Sequence, residues 1–311
     1  MRPAWAFLGG GLAVLLCSRD VRADVPAPGT LPVAGQPVDI GLPHRHEGRK
    51  LEWDPSFHRV GVPEMVVTGA AAGIALTTAI VRPLKTGWSG GILFDNSVRD
   101  ALRLPSYQAR LDIRDASDVG LATITMFPIL VDSALLAYWY RGSEDVALQT
   151  ALIDAEAISL TAALQGAATF FGGRARPYVQ NCGGAVPSNS DDCNTPSEYR
   201  SFFSGHSASS FTSAGLICAH HLRLHLFDSG ADVVTCAAAF VTAAAIATMR
   251  VMGDMHYASD VLVGAVVGTS VGLGVPLLHH YSGHEEARGA PSAVTVRFVP
   301  IALGGAIQGT F

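Results

Sequence analysis

The sequence predicts an all-α fold, a bundle of six helices with a short β-hairpin near the C-terminal end. Hydrophobic residues make up 49% of the 311 and charged residues only 15%. Mean hydropathy is +0.31, on the membrane side of ordinary soluble domains. The apolar residues gather in six runs long enough for helices, joined mostly by short connections, which is the pattern of a bundle. No repeat or long polar linker divides the chain after residue 60, so one helical domain over 61–285 is expected, followed by a tail at 286–311. A formal charge of -5 gives no reason to expect nucleic acid as a partner.

Arg2, an apolar run from Ala4 to Leu16 and the sequence Val21-Arg22-Ala23 predict an export signal over residues 1–23, cleaved after Ala23. A lipid anchor through Cys17 fits less well, because bulky Leu16 precedes it. An uncleaved anchor helix is the alternative, although the run is short for a span. Residues 24–60 are rich in Pro, Gly and His and read as an exported arm or linker. The first helix is expected over Glu64–Val81, either as a span or fully buried, and a surface or interface helix between Arg82 and Arg114.

Ser117-Asp118 offers a cap for a second helix reaching Tyr140. A third runs from about Asp145 to Phe171 and carries Asp154 and Glu156, which either face water and polar neighbours or serve near a site. The fourth begins at about Ser204, the fifth covers about Ala231–Met249 and the sixth about Ser259–Leu278. Val294–Ile301 and Ala306–Phe311 read as two short strands with Gly304 and Gly305 near the turn.

Cys182 and Cys193 flank a loop rich in Gly, Pro, Ser, Asn and Asp, a suitable place for a disulfide in an exported protein. Cys218 and Cys236 lie in apolar runs and read as buried thiols. His221 and His225 are four apart and Asp228 follows three later, so a metal reading competes there with a polar helix end, which is preferred.

Three stretches carry chemistry. Arg250, Gly253, His256 and Asp260 fall at the junction of the fifth and sixth helices. If the sixth has begun there, His256 and Asp260 share a face, and the carboxylate can hold one imidazole nitrogen as a donor while the other attacks. Gly172-Gly173-Arg174-Ala175-Arg176-Pro177 closes the third helix. Ser204-Gly205-His206 opens the fourth, where backbone N–H groups and a hydroxyl face an anion with the helix dipole behind them. Guanidiniums beside a nucleophilic histidine suit a phosphate-like oxyanion.

In this order and spacing the stretches resemble the type 2 phosphatidic acid phosphatase superfamily, which also includes bacterial class A acid phosphatases and vanadium haloperoxidases. Its signature is Lys, six residues, Arg-Pro; then Pro-Ser-Gly-His; then Ser-Arg, five residues, His, three residues, Asp. The resemblance covers roughly residues 64–280. It implies a six-helix bundle in which His256 is the nucleophile that becomes a phosphohistidine, Asp260 orients it and His206 protonates the leaving group. Arg176, Arg250, Ser204 and the Gly205 amide would bind the phosphoryl oxygens. It implies no metal and no cofactor for a phosphatase, and vanadate for a haloperoxidase.

The chain departs from the signature at Met249 and Phe203, which remove no charge, and at Thr169, which stands at the lysine position. A lost hydrogen bond to a charged group costs about 1.5–3 kcal/mol, and neighbouring Arg174 is the expected substitute. The expectation is a phosphomonoesterase acting on a phosphorylated small molecule or lipid head group, membrane-associated with its site on the exported face, a soluble exported enzyme being the alternative. The same-fold rival is a haloperoxidase, and the rival of another class is a non-catalytic scaffold.

Overall fold

The computed structural model describes residues 50–283 together with residues 295–301 and 304–310. The predicted signal, most of the arm, the tail residues 284–294 and Phe311 lie outside the described residues.

Among the described residues, six long α-helices and one short one make up the bundle. α1 is Val62–Ile80, and the short α2 is Asp95–Leu102. α3 is Tyr107–Phe127 and continues as a wider-wound segment to Tyr140. α4 is Glu144–Gly172, α5 Gly205–Leu224 and α6 Ala231–Met252. α7 is Ala258–Gly274, continuing to His280.

α3 starts ten residues before the expected position. Ser106 is its cap, accepting from the Ala109 N–H at 3.1 Å. Arg110 and Arg114 are tolerated in the first turns because backbone carbonyls and Asp192 meet their guanidiniums. Ser117 and Asp118 are therefore interior residues of α3 and not its cap.

α5 is the axis of the bundle, packed by α3, α4, α6 and α7. Its inward residues are small or hydroxylated, among them Ser207, Ala208, Thr212 and Ser213. Along α7, Gly264, Gly268 and Gly272 recur every fourth residue. A Cβ at any of them would lie 2.2–2.7 Å from a carbonyl oxygen of α5, so the two backbones touch where side chains would hold them apart.

The apolar surface points outward. Val66, Leu76, Val241, Val266 and Leu278 are each at least 65% exposed, whereas the buried set includes His220, His221, Asp132, Asp154 and Glu156. Among the described residues, five segments are long and apolar enough to cross a membrane: Val62–Ile80, Tyr107–Tyr140, Glu144–Asn181, Ala231–Met252 and Ala258–His280. α5 is the long helix outside that set, because serines, threonines and two histidines break its apolar run, and most of these are buried among its neighbours.

Successive long helices alternate in direction. One end of the bundle gathers the end of α4 and the starts of α5 and α7, joined by Arg174 to Asp260. The other end gathers Arg59 with Asp145, Arg141 with the Leu226 carbonyl, and the His58 N–H with the His280 carbonyl. Residues 51–60 of the expected arm are part of this second end. Trp53 and Val60 join the core, and Phe57 packs 5.0 Å from the Tyr281 ring.

Cys182 and Cys193 are paired in a disulfide, with Cα atoms 5.8 Å apart. Cys218 and Cys236 are also paired and are not free thiols, because α5 and α6 lie side by side where both residues face. At the C-terminal end, Thr295–Ile301 pairs antiparallel with Gly304–Thr310, Ile301 opposite Gly304.

Candidate active site

Three loops at one end of the bundle carry the residues singled out in the sequence. The first closes α4. Gly173 is left-handed at φ 52°, and a Cβ there would lie 1.9 Å from the Leu84 oxygen, so only glycine lets the chain turn at this point. The second ends at Ser204, whose hydroxyl accepts from the Ser207 N–H at 3.3 Å and caps α5. In the third, α6 stops at Gly253. A Cβ at Gly253 would meet the Arg114 side chain at 2.9 Å.

α2 fastens the third loop. Arg99 and Arg103 both bind Asp254, with contacts of 2.6, 2.9 and 2.8 Å. Asp95 accepts from the backbone N–H and the hydroxyl of Ser259 at 2.8 and 2.7 Å. His256 is thus presented by a loop anchored on both sides.

The His256 side chain differs from the expectation in its partner. Its Nδ1 faces the Ser201 carbonyl at 2.8 Å, while Asp260 accepts from the Ser201 hydroxyl at 2.6 Å and from the Tyr257 N–H at 3.0 Å. The i,i+4 reasoning fails because α7 begins at Ala258, so His256 precedes the helix and Asp260 lies in its first turn. Asp260 does not touch the imidazole and only holds the side chain of Ser201, whose carbonyl faces it. The consequence for the ring is the one expected: Nδ1–H is the donor and Nε2 keeps its lone pair.

His256 is buried, 3% exposed. Burial holds its pKa well below 6.5, and the positive charges of Arg176 and Arg250 push in the same direction. His206, Arg176 and Arg250 also act electrostatically on one another, so the two imidazoles and two guanidiniums share one region. Arg176 makes a side-chain contact of 3.4 Å with the Met255 sulfur, and no carboxylate pairs with it among the described residues. Such crowding of positive charge around neutral imidazoles suits an anion.

Arg174 does not serve in place of the missing lysine. It is fully buried. Its Nη1 donates to Asp260 at 2.6 Å and to Ser259 at 2.9 Å, and its Nη2 to Asp95 at 2.8 Å and to the Gly90 carbonyl at 2.9 Å. The guanidinium also lies 4.9 and 4.2 Å from the Trp88 and Tyr257 ring centres. Both terminal nitrogens are engaged, so Arg174 fastens the loops to each other. Thr169 is buried and bonds the Phe202 carbonyl at 3.3 Å, steadying the stretch before Ser204.

Three further residues belong to this site: Asp118 and Ser117, which the sequence offered only as a helix cap, and Arg114, which it did not single out as a site residue. Asp118 Oδ1 lies 2.5 Å from His206 Nε2 and 3.0 Å from Arg250 Nη1, and the neighbouring Ser117 hydroxyl accepts from Arg250 at 2.7 Å. Arg114 acts on both Arg176 and Arg250, and its Nη2 is buried with no hydrogen-bond partner among the described residues. Arg110, Arg114, Ser117 and Asp118 share helical spacing, but Gln108, Asp112 and Asp115 in the same turns hide the stripe in the sequence.

Residues 150–284 match the family model described as the PAP2 superfamily. This region is a PAP2 superfamily domain. No curated protein and no solved structure matches the chain. The PAP2 region contains Arg176, Ser204, Gly205, His206, Arg250, His256 and Asp260, and its membership supports phosphatase-type chemistry in general. Arg114 and Asp118 precede it.

Proposed function

We propose that the protein is a phosphomonoesterase that works through a phosphohistidine at His256. The observation that carries this reading is the fixed tautomer of His256, with Nδ1 on the Ser201 carbonyl and Nε2 left to attack beside Arg176 and Arg250. Nε2 bonds to phosphorus as the ester P–O bond breaks, and His206, protonated once the phosphate dianion offsets the guanidiniums, gives its proton to the leaving oxygen. Water then attacks the phosphohistidine, returns a proton to His206 and releases phosphate. Arg176, Arg250, Ser204 and the Gly205 amide hold the phosphoryl oxygens. Arg114 adds the positive charge absent at Thr169. The guanidiniums supply what a metal would, so this chemistry requires none.

The Asp118 carboxylate on His206 and Arg250 stands in for phosphoryl oxygens. Its side chain is 59% exposed, free to move as substrate enters.

The outward apolar surface supports a membrane enzyme whose substrate is a lipid phosphate or diphosphate. The Cys182–Cys193 disulfide beside the site supports an exported face for it. Six alternating crossings then put residues 50–60 on the cytoplasmic side, which requires that the leading apolar run not carry the arm across. Labelling single cysteines at Lys50 and Ser188 from outside intact cells tests this: only Ser188→Cys should react, and reaction of Lys50→Cys alone would reverse the orientation.

The catalytic reading is tested by hydrolysis of p-nitrophenyl phosphate and phosphatidic acid by protein in detergent. Hydrolysis should be inhibited by vanadate and lost in His256→Ala, with acid-labile phosphate trapped on the wild-type chain. Bromide oxidation with vanadate would make it a haloperoxidase, and no turnover of either kind would leave a scaffold.

A further inference from the structure

At the end of the bundle opposite the phosphate site, three donor atoms from separate parts of the chain converge. His58 lies just before α1, Glu64 in its first turn and His279 near the end of the α7 continuation. His58 Nε2 is 3.0 Å and His279 Nε2 is 3.3 Å from Glu64 Oε1, and all three donors lie within 4.8 Å of one another. Two ligands on a tetrahedral zinc ion, bonded at about 2.0–2.1 Å, stand roughly 3.3 Å apart. The two spacings to Glu64 are close to those of neighbouring corners of such a tetrahedron.

The surroundings hold the three donors in place. Glu64 Oε2 accepts from the Gly61 N–H at 2.8 Å, which turns Oε1 toward the imidazoles. The His58 backbone is gripped on both sides by His280: its N–H donates to the His280 carbonyl at 2.8 Å, and its carbonyl faces His280 Nδ1 at 3.1 Å. His280 Nε2 in turn contacts Glu156 at 3.0 Å. These contacts fix the backbone that carries His58 against the end of the α7 continuation. The His58 and His279 side chains are each half exposed, so an ion can enter and keep a water.

We propose that His58, Glu64 and His279 form a binding site for a divalent transition-metal ion of the zinc class, clamping the segment before α1 to the end of α7. Two imidazoles and one carboxylate favour zinc or cobalt over calcium or magnesium.

The test uses the full chain in detergent, purified through a tag without histidine, stripped with chelator and titrated with Co²⁺ and then Zn²⁺. Expected are one ion per chain, a cobalt visible absorption of tetrahedral intensity that zinc abolishes, and a rise in unfolding temperature with zinc. Glu64→Gln, which still accepts from Gly61, and His279→Asn should each weaken binding by at least about 100-fold, while His225→Asn at the end of α5 should not. Phosphatase activity without metal reports whether each variant is folded, or circular dichroism if that activity is absent. No bound ion in the wild type, or binding unchanged in folded Glu64→Gln and His279→Asn, overturns the site and leaves only hydrogen-bonded histidines.

Discussion

His256 Nδ1 lies 2.8 Å from the carbonyl oxygen of Ser201, while the Ser201 hydroxyl donates to Asp260. Ser201 is thus held by the carboxylate through its side chain and meets the imidazole through its backbone, and burial together with Arg176 and Arg250 keeps the ring neutral well below the ordinary value of 6.5. The depressed pKa sets the sign of the pH effect. The nucleophilic neutral form persists through the mildly acid range, and protonation removes it only at lower pH. The acid limb of kcat/KM, corrected for substrate ionisation, should therefore fall below pH 6.5. A limb at or above 6.5 would contradict the burial of the ring.

Arg174 and Asp260 are both fully buried and 2.6 Å apart. Removing one partner of such a pair leaves the other charge uncompensated and costs about 3–5 kcal/mol. Arg174→Ala should lower the unfolding temperature sharply and reduce the yield of folded protein, whereas Arg223→Ala, on the outer face of α5, should do neither. If folded Arg174→Ala lost only substrate affinity, the guanidinium would be a phosphate ligand after all.

Asp118 competes with phosphate for His206 and Arg250. Because its side chain is largely exposed, the interaction is worth only about 0.2–1 kcal/mol. Asp118→Asn should accordingly lower KM and the vanadate inhibition constant by roughly two- to fivefold. A raised KM would show instead that the carboxylate assists binding.

Arg114 carries a buried nitrogen without a hydrogen-bond partner beside Arg176 and Arg250. Loss of one charge-assisted contact to the transition state is worth about 1.5–3 kcal/mol, so Arg114→Met should lower kcat by roughly 10- to 100-fold. Arg114→Lys should recover part of it. Equal loss in both variants would mean that the contact with the Gly253 carbonyl matters and the charge does not.

The helices were legible from the apolar runs, and five of the six expected starts fall within about two residues of those observed. The start of α3 was not, because arginines in an apolar helix read as surface until their partners are known. Those partners, Asp192 and the Gly253 carbonyl, come from distant loops. The site residues were legible as spacing along the chain, but not as contacts. Asp260 was assigned to His256 through helical periodicity that begins two residues too late. His220 and His221 looked like a polar helix end, yet they pair with Asp154 and with Asp132 and Asp232 inside the bundle. Burial of that kind follows only from which helices enclose α5.

That enclosure bears on how the chain is assembled. Taken alone, α5 offers hydroxyls and two histidines where a bilayer demands hydrocarbon, so it should partition poorly when it leaves the ribosome. Its lodging depends on α6 and α7, which are synthesised later and bring Asp232 and the glycine stripe. Chains ended after residue 230 should leave α5 open to added protease, and chains reaching residue 283 should protect it. The helix that opens with Ser204 and His206 is then among the last to be secured, and the phosphate site is completed only when the whole region has been made.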